Sequence, residues 1–306
     1  MQGIVTKSTG SWYQVQTPEG NRYDCRIKGK FRIQGLTTTN PIAVGDQVDF
    51  DLEPELQQGV INKLHPRKNY IIRKSINLSK QAQIIAANLD QAFLVVTLAS
   101  PRTSLGFIDR FLVTAEAYDI PASLVFNKLD MFSEEGLEIL AEYKSIYENL
   151  GYPCYEVSAL KGTNIPQLVT QLKDKITLFS GHSGVGKSSL MNAILPDLQL
   201  RTMEVSEWSD KGMHTTTFAE MYDLPGGGAI IDTPGIRELG IIDIDQQELS
   251  HFFPEMRDRM HSCRFHNCRH INEPGCAVLE ALENGEIEPS RYESYLSMYH
   301  GNDTRA

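Results

Sequence analysis

The sequence predicts an α/β protein in three parts: a small N-terminal β-barrel, a central domain with a mainly parallel sheet, and a helical C-terminal unit. Short strands separated by turn signals fill residues 3–65. Apolar strands then alternate with amphipathic helices up to about residue 235, which is typical of a parallel sheet covered on both faces. Residues 236–306 are charged, helix-rich and carry three clustered cysteines. We place the domains at 1–68, 69–238 and 239–306.

Composition and length exclude several classes of protein. The 306 residues exceed what one hydrophobic core normally supports, so several domains are expected. No apolar run approaches the roughly 20 residues that span a bilayer, so no membrane association is expected. The N-terminus lacks the basic start and apolar stretch of a secretory signal, which predicts a cytoplasmic location with reduced cysteines.

Charge is distributed unevenly along the chain. The formal net charge is −10, yet residues 1–75 hold eleven Lys/Arg and seven Asp/Glu, a balance of +4, which leaves −14 for the remainder. Chance variation of a solvated surface explains a +4 segment about as well as an anionic partner does. If the chain contacts RNA, we expect the barrel and the C-terminal unit, rather than the acidic central body, to make most of the contacts.

The N-terminal strands GIVTKS, WYQVQT, RYDCRIK and QVDFDLE fit a five-stranded OB-type barrel, a fold that commonly binds RNA. An SH3-like barrel would give a similar pattern and stays open. The polar segment that follows holds Arg67, Lys68, Arg73 and Lys74. We interpret it as a linker or as an edge that contacts phosphates.

A phosphate-binding loop, G-H-S-G-V-G-K-S, lies between the apolar strand ITLF and the helix-like SSLMNAIL. Its glycines let backbone N–H groups surround a phosphate, Lys187 reaches the outer phosphates, and the Ser188 hydroxyl ligates Mg²⁺. The candidate nucleotide-binding residues here are Gly181, His182, Ser183, Gly184, Val185, Gly186, Lys187, Ser188 and Ser189. The loop alone does not distinguish ATP from GTP.

The motif N-K-L-D selects guanine. Asn127 and Lys128 follow the strand SLVF, and Asp130 supplies a carboxylate that can accept both N–H donors of guanine. Adenine lacks this donor pair, so it would leave a buried carboxylate unpaired. Ser158 and Ala159 follow the next strand, where a contact to the guanine oxygen is expected.

A D-x-x-G element follows the strand GGGAII. Asp232 is expected to bind Mg²⁺ through water, and the N–H of Gly235 to contact the γ-phosphate. One threonine of the preceding run, Thr215, Thr216 or Thr217, should complete the Mg²⁺ shell, and spacing does not decide which.

The order of these motifs is rotated, because N-K-L-D and S-A precede the phosphate loop and D-T-P-G. The domain is therefore predicted to be a circularly permuted P-loop GTPase domain. The segment after Gly235 runs straight into the C-terminal unit, so we expect hydrolysis to move that unit.

The C-terminal sequence Cys263-x4-Cys268-x-His270-x5-Cys276 offers three thiolates and an imidazole, the donor set of a structural zinc site. His261 and His266 compete for the histidine position on spacing alone. Four arginines, Arg257, Arg259, Arg264 and Arg269, surround the cluster. We expect the zinc to stiffen a surface that binds RNA or protein.

With these motifs, the chain closely resembles the ribosome small-subunit-dependent GTPase A family over essentially its whole length. The resemblance implies an N-terminal OB barrel, a permuted GTPase domain and a C-terminal zinc unit with His270 as the histidine ligand. It also implies Mg²⁺-dependent GTP hydrolysis in late maturation of the small ribosomal subunit, with that subunit and its rRNA as partners. We expect the subunit to stimulate turnover and the protein to be a monomer.

The residue after D-T-P-G is Ile236, where many GTPases place a glutamine that orients the attacking water. His214 is the candidate for orienting this water, although a solvent-exposed loop histidine would look the same. Lys187 is the second candidate catalytic residue, because its charge stabilises the phosphates during hydrolysis. The alternative function is a GTP-gated, rRNA-binding checkpoint switch with little turnover. An ATPase is a weaker possibility, which Asp130 argues against.

Overall fold

The computed structural model describes residues 1–27, 41–53, 58–74, 82–98, 100–200, 219–233 and 244–301. The strands are β1 (Gln2–Ser8), β2 (Tyr13–Gln16), β3 (Arg22–Ile27), β4 (Gln47–Glu53), β5 (Gln58–Leu64), β6 (Tyr70–Lys74), β7 (Ala82–Ala87), β8 (Gln91–Val96), β9 (Ala122–Phe126), β10 (Cys154–Glu156), β11 (Ile176–Ser180), β12 (Glu220–Asp223) and β13 (Ala229–Asp232). The helices are α1 (Leu105–Ala117), α2 (Glu134–Asn149), α3 (Ile165–Leu172), α4 (Lys187–Ile194), α5 (Pro254–Arg257), α6 (Ala277–Glu283) and α7 (Pro289–Tyr299).

The first five strands close into a barrel. Strand β1 pairs with both β2 and β4, and β2 pairs with β3. Strand β5 closes the barrel, because it pairs with β3 in parallel and with β4 in antiparallel orientation. This closed order is that of the predicted OB-type barrel. Inward-facing residues of alternate positions, among them Val5, Val15 and Phe50, form its core. Strand β5 was absent from the four strands read from the sequence.

The central domain is built on the sheet order β10-β9-β8-β11-β13-β12. All neighbours are parallel except β12, which runs antiparallel to β13. Strands β8 and β9 are buried along their entire length, which explains their continuous apolar sequences. One apolar core contains α1 and α2, and a second contains α3 and α4.

The basic segment after the barrel is a structural element rather than a free linker. Strand β6 pairs with β7 in an antiparallel hairpin. Arg67 is buried against the fully buried Asp46, with its Nε 2.7 Å and Nη2 2.6 Å from the two carboxylate oxygens. Lys68 forms an exposed pair with Asp90 at 2.6 Å. Arg67 therefore does not form a phosphate-contacting edge, because its charge is neutralised inside the protein.

The C-terminal unit packs directly on α1. Its own core includes Leu249, Phe253 and Tyr295, and Val113 of α1 belongs to the same cluster. The helix α1 is thus covered by the central sheet on one side and by the C-terminal unit on the other. Among the described residues, no helix is long and apolar enough to cross a bilayer.

Candidate guanine-nucleotide site and metal centre

The candidate nucleotide-binding residues converge at one edge of the central sheet. The phosphate loop follows β11, Asp232 ends β13, and the N-K-L-D motif follows β9. These strands are parallel neighbours, separated only by β8, so their carboxyl ends open into the same crevice. Chain order does not affect this convergence, since the motifs meet through strand pairing rather than through proximity in sequence.

The phosphate loop depends on glycine at two positions. Gly184 and Gly186 have φ of +87° and +88°, which other residues rarely adopt. A Cβ on Gly186 would also lie 2.4 Å from Asn127 Nδ2. Val185 between them is fully buried and fixes the loop on the second core. Gly186 caps α4, so the N-terminus of this helix and its dipole face the space where phosphate is expected.

Lys187 lies at the centre of the site. Its Nζ is 3.1 Å from Asp232 Oδ1 and 2.8 Å from the carbonyl oxygen of Thr233. The Asp232 side chain is almost completely buried, and the Thr233 hydroxyl donates to Phe179 O at 3.0 Å. The structure therefore brings together the cation and the carboxylate that were assigned to the phosphates and to Mg²⁺. Ser188 follows directly in the first turn of α4.

Asn127 holds the two halves of the site together. Its Nδ2 donates to the carbonyl oxygen of Val185 at 2.9 Å, and its Oδ1 accepts from the N–H of Ala159 at 3.1 Å. This buried side chain thus joins the phosphate loop to the segment after β10. The geometry adds a positioning role to its predicted nucleotide-binding role.

Asp130 and Ser158 meet beside this junction. The Ser158 hydroxyl donates to Asp130 Oδ1 and accepts from the N–H of Lys161 at 3.0 Å. Asp130 itself is exposed, which corrects the expectation of a buried carboxylate. It lies in the 3₁₀ turn Leu129–Met131, beyond the end of the buried strand. Ser158 fixes the direction of the carboxylate.

Lys128 lies beside the phosphate loop. It adopts a left-handed conformation with φ of +65°, and its Nζ donates to Ser100 O at 2.6 Å. Partial burial lowers the pKa of the Lys128 ammonium, and the nearby Asp130 opposes that shift.

The segment before α1 and the first turn of α1 also contact the phosphate loop, which no sequence motif indicated. The ring of Phe107 packs on the ring of His182 with centroids 3.6 Å apart. Pro101 lies 3.1 Å from the ideal Cβ position of Gly184. The remaining predicted residues, His214, Thr215, Thr216, Thr217 and Gly235, lie outside the described residues.

The four predicted zinc ligands form one cluster. The donor atoms of Cys263, Cys268, His270 and Cys276 all lie within 4.8 Å of one another. His270 Nδ1 is 3.3 Å from Cys276 Sγ and 3.6 Å from Cys263 Sγ, and the two sulfurs are 4.0 Å apart. Tetrahedral zinc with its usual bond lengths requires about 3.5 Å between nitrogen and sulfur and about 3.8 Å between sulfurs. The cluster therefore fits zinc, with His270 rather than His261 or His266 as its histidine.

The backbone around the cluster is held by the neighbouring helix. His270 has a φ of +57°, and its carbonyl oxygen accepts from the hydroxyl of Tyr292 at 2.7 Å. Glu273 accepts from the N–H groups of Arg269, Ile271 and Asn272 at 2.9 to 3.1 Å. Burial alone would raise the pKa of Glu273, but these hydrogen bonds outweigh it and lower the pKa to about 2.

Two of the four arginines near the cluster are engaged within the protein. Arg257 pairs with Glu116 of α1 at 2.9 Å, and Arg259 pairs with Glu286 at 3.3 Å. Arg264 lies over the ring of the exposed Phe265, 5.4 Å from its centroid. The arginines therefore do not form one uniform free surface: Arg257 attaches the unit to α1.

The fold and the site together define a circularly permuted P-loop GTPase, since the guanine motif precedes the phosphate loop while both meet at one sheet edge. The RsgA GTPase family model matches residues 64–242, and the RsgA N-terminal domain model matches residues 2–61. The chain belongs to the RsgA GTPase family and is a GTP hydrolase.

Individual relatives agree with this assignment. The chain is 54% identical over 305 residues to the small ribosomal subunit biogenesis GTPase RsgA of Christiangramia forsetii, covering 99% of this chain and 97% of the relative. It is 52% identical over 298 residues to the protein of the same name from Bacteroides fragilis, covering 97% and 96%.

Solved structures share the same architecture. YjeQ from Thermotoga maritima superposes with a TM-score of 0.80 at 40% identity, covering 100% of this chain and 99% of YjeQ. YloQ, described as a circularly permuted GTPase, gives 0.74 at 31% identity, covering 100% and 96%.

Proposed function

We propose that this protein hydrolyses GTP in a Mg²⁺-dependent reaction coupled to late maturation of the small ribosomal subunit. The observation that carries the chemistry is the convergence of Lys187, Asp232 and the glycine loop beside the Asp130–Ser158 pair. The names of the relatives supply the biological process. The working partners are the subunit and its rRNA, and the working state is a cytoplasmic monomer.

Catalysis here consists of positioning and charge stabilisation. Lys187 and the loop N–H groups hold the phosphates, and Asp130 and Ala159 read the guanine. Mg²⁺, held by Ser188, by Asp232 through water and by one of Thr215, Thr216 and Thr217, would neutralise charge on the phosphate oxygens. Gly235 contacts the γ-phosphate, and His214 orients the attacking water in place of the glutamine that Ile236 replaces.

The proposed division of labour follows the three domains, 1–68, 69–238 and 239–306. The barrel and the C-terminal unit contact rRNA, while the central domain binds GTP and GDP. One structural Zn²⁺, held by Cys263, Cys268, His270 and Cys276, keeps the C-terminal unit rigid. The acidic central body makes few RNA contacts because its charge repels phosphate.

The primary test is GTP turnover by the purified protein with and without small ribosomal subunits. Large subunits and ATP serve as controls. Stimulation by small subunits alone supports the proposal. An unchanged slow rate together with tight, GTP-dependent subunit binding would favour the second function, a GTP-gated rRNA-binding checkpoint switch. Ile236 is the observation that favours this second function, because it cannot activate water.

Base recognition is tested by Asp130→Asn. An amide donates where the carboxylate accepts, so the variant should bind GTP about 100-fold more weakly or worse and should prefer xanthosine triphosphate. Asp197→Asn, a change in the exposed turn after α4, is the matched control and should bind GTP normally. Unchanged GTP affinity in Asp130→Asn would remove the guanine assignment.

His214 is tested by His214→Ala, with His266→Ala in the exposed zinc loop as the control. Loss of kcat with unchanged nucleotide Kd is expected for a residue that acts on the attacking water. If His214→Ala kept the same kcat as the control His266→Ala, His214 would be an ordinary surface histidine without a catalytic role.

A further inference from the structure

The helix α1 contacts the phosphate loop through Phe107. The N-cap residue Ser104 accepts a hydrogen bond from the N–H of Phe107 at 3.3 Å, so the first turn of α1 is well defined. The Phe107 ring then packs on His182, the second residue of the loop, at a centroid distance of 3.6 Å. Phe107 itself is buried in the core formed by α1, α2 and the sheet. It therefore ties the loop to the body of the domain.

The opposite side of α1 contacts the C-terminal unit. Residues two positions apart in a helix lie about 200° apart around its axis, so Asp109 faces away from Phe107. Asp109 is fully buried and accepts from Arg291 Nη1 of α7 at 2.7 Å and from the Tyr147 hydroxyl at 2.9 Å. Val113 and Glu116, four and seven residues further along, continue this face. Val113 joins the C-terminal core, and Glu116 pairs with Arg257.

Arg291 connects Asp109 to the interior of the C-terminal unit. Its Nε and Nη2 are 2.7 and 3.2 Å from the two carboxylate oxygens of Glu255, and its guanidinium lies 4.7 Å from the centroid of the Phe253 ring. The planar guanidinium fixes both carboxylates in direction as well as distance. A shift of α7 or α5 therefore cannot leave α1 unchanged without unpairing a buried charge.

We propose that Phe107 is a positioning residue of the phosphate loop, and that α1 couples this loop to the C-terminal unit through Asp109 and Arg291. The effect on nucleotide binding rests on the proposed function, since it requires phosphate to bind the loop. Coupling is reciprocal by thermodynamic necessity: a partner that displaces the C-terminal unit changes nucleotide affinity, and nucleotide changes the affinity for that partner. This coupling through α1 is proposed in addition to the expected movement of the C-terminal unit through the segment after Gly235.

The first test compares Phe107→Leu with Phe111→Leu, a matched loss of a ring from the same helix and the same core. Loss of the ring stacked on His182 should raise the Kd for GDP and GTP about two- to tenfold. Both variants lose a buried ring, so Phe111→Leu should lower the melting temperature about as much as Phe107→Leu does. Phe111→Leu should leave the Kd for GDP and GTP unchanged. Phe107→Tyr, which keeps the ring, should restore affinity. Equal Kd values for Phe107→Leu and Phe111→Leu would overturn the positioning role.

A second readout does not depend on nucleotide. Hydrogen exchange at residues 182–186 of the nucleotide-free protein should accelerate about two- to tenfold in Phe107→Leu, because the stacked ring no longer holds the loop. Phe111→Leu should leave it unchanged. If the wild-type protein failed to bind GTP, the proposed function would fail, while this exchange result would still test the positioning role.

The coupling is tested by Arg291→Lys, alone and combined with Phe107→Leu. Lysine keeps the charge but loses the fork that orients Asp109. Arg291→Lys should bind GDP more weakly than the wild type while keeping its full zinc content. In the double variant, the change in the Kd for GDP should differ from the product of the two single-variant changes. Unchanged binding in Arg291→Lys, or strictly additive effects, would overturn the link through α1.

Discussion

The central domain is joined to its two neighbours by ion pairs that differ in burial: they are exposed on the barrel side and buried on the C-terminal side. On the barrel side, β1 pairs with β12 at Lys7 and Glu220, and these side chains form an ion pair of 3.1 Å. Arg22 and Asp223 form a second pair of 3.3 Å with about half of each side chain exposed. Water and salt screen such pairs, so each contributes little to stability.

On the C-terminal side the charges are buried. Arg291 and Asp109 have side-chain exposures of 1% and 0%, and Glu255 of 4%. Burial alone would lower the pKa of Arg291, but the two carboxylates outweigh it and raise that pKa. Burial raises the pKa of Asp109, and Arg291 and Tyr147 oppose that rise. The C-terminal unit therefore meets α1 through buried charges that must remain paired, whereas the exposed ion pairs at the β1–β12 junction contribute little to stability.

The largest expected effect comes from breaking the buried cluster. Arg291→Met leaves two carboxylates buried without a cation, so the free energy of unfolding should fall by about 3–5 kcal/mol in urea denaturation. Arg259→Met removes a partly exposed pair and is the control, with a loss below about 1 kcal/mol. Replacing Asp109, Glu255 and Arg291 together by Leu, Leu and Met should recover most of the loss. A large loss in Arg259→Met would contradict the distinction.

A smaller effect is expected for the buried Arg67–Asp46 pair, whose two residues both lie within residues 1–68, away from the β1–β12 junction. Arg67→Met should cost about 2–3 kcal/mol, because Asp46 keeps only its hydrogen bond from the N–H of Ala43. Lys68→Met, at the exposed neighbouring pair, should cost less than about 1 kcal/mol. Chemical denaturation of both variants measures the difference. If both variants lost less than about 1 kcal/mol of unfolding free energy, the buried Arg67–Asp46 pair would contribute no more than an exposed one.

The C-terminal unit offers an intermediate case, the half-buried carboxylate of Glu273, which is held by backbone N–H groups. Glu273→Gln should lower the free energy of unfolding by about 1–2 kcal/mol at pH 7. The pKa of Glu273 is lowered from 4.5 to about 2, so its contribution is present above pH 4.5 and disappears as the pH falls towards 2. Thermal unfolding with saturating zinc measures the effect at pH 7. Glu280→Gln on the exposed side of α6 should change nothing.

The smallest effect is expected at the barrel junction. Arg22→Gln should change the free energy of unfolding by no more than about 0.5 kcal/mol, and the change should vanish at high salt. Urea denaturation at low and high ionic strength makes the comparison. A loss of several kcal/mol, unaffected by salt, would show that this junction resembles the C-terminal one after all.

Sequence reasoning was most successful where periodicity and motifs agree. The apolar runs ending in the guanine motif and the phosphate loop are β9 and β11, and the long amphipathic segments are α1 and α2 with ends within two residues of prediction. The four side chains assigned to a metal site come together, although spacing alone left the histidine open and the family resemblance supplied His270. Three short strands were missed. Polar residues break the alternation in β5 (QGVINKL) and β6 (YIIRK), and the short run AQIIAA of β7 has no alternation that would mark it as a strand.

The second buried face of α1 could not be read from the sequence. Asp109 and Glu116 are charged residues on an amphipathic helix, and such residues normally face solvent. Their partners Arg291 and Arg257 lie more than 140 residues away. Phe107 gave no signal either, because an apolar residue on a core-facing helix is indistinguishable from one that also supports a functional loop.

The sequence by itself indicated the class of chemistry, GTP hydrolysis, because motifs for phosphate binding, guanine selection and metal ligation each require particular residue types at short, fixed spacings. It also determined the permuted order and hence the family. Only the tertiary structure decided which charges are buried, which basic residues are paired within the protein, and what supports the phosphate loop. Those properties depend on contacts between residues distant in the chain, where a single charged residue has the same appearance in sequence whether it faces water or an opposite charge in the interior.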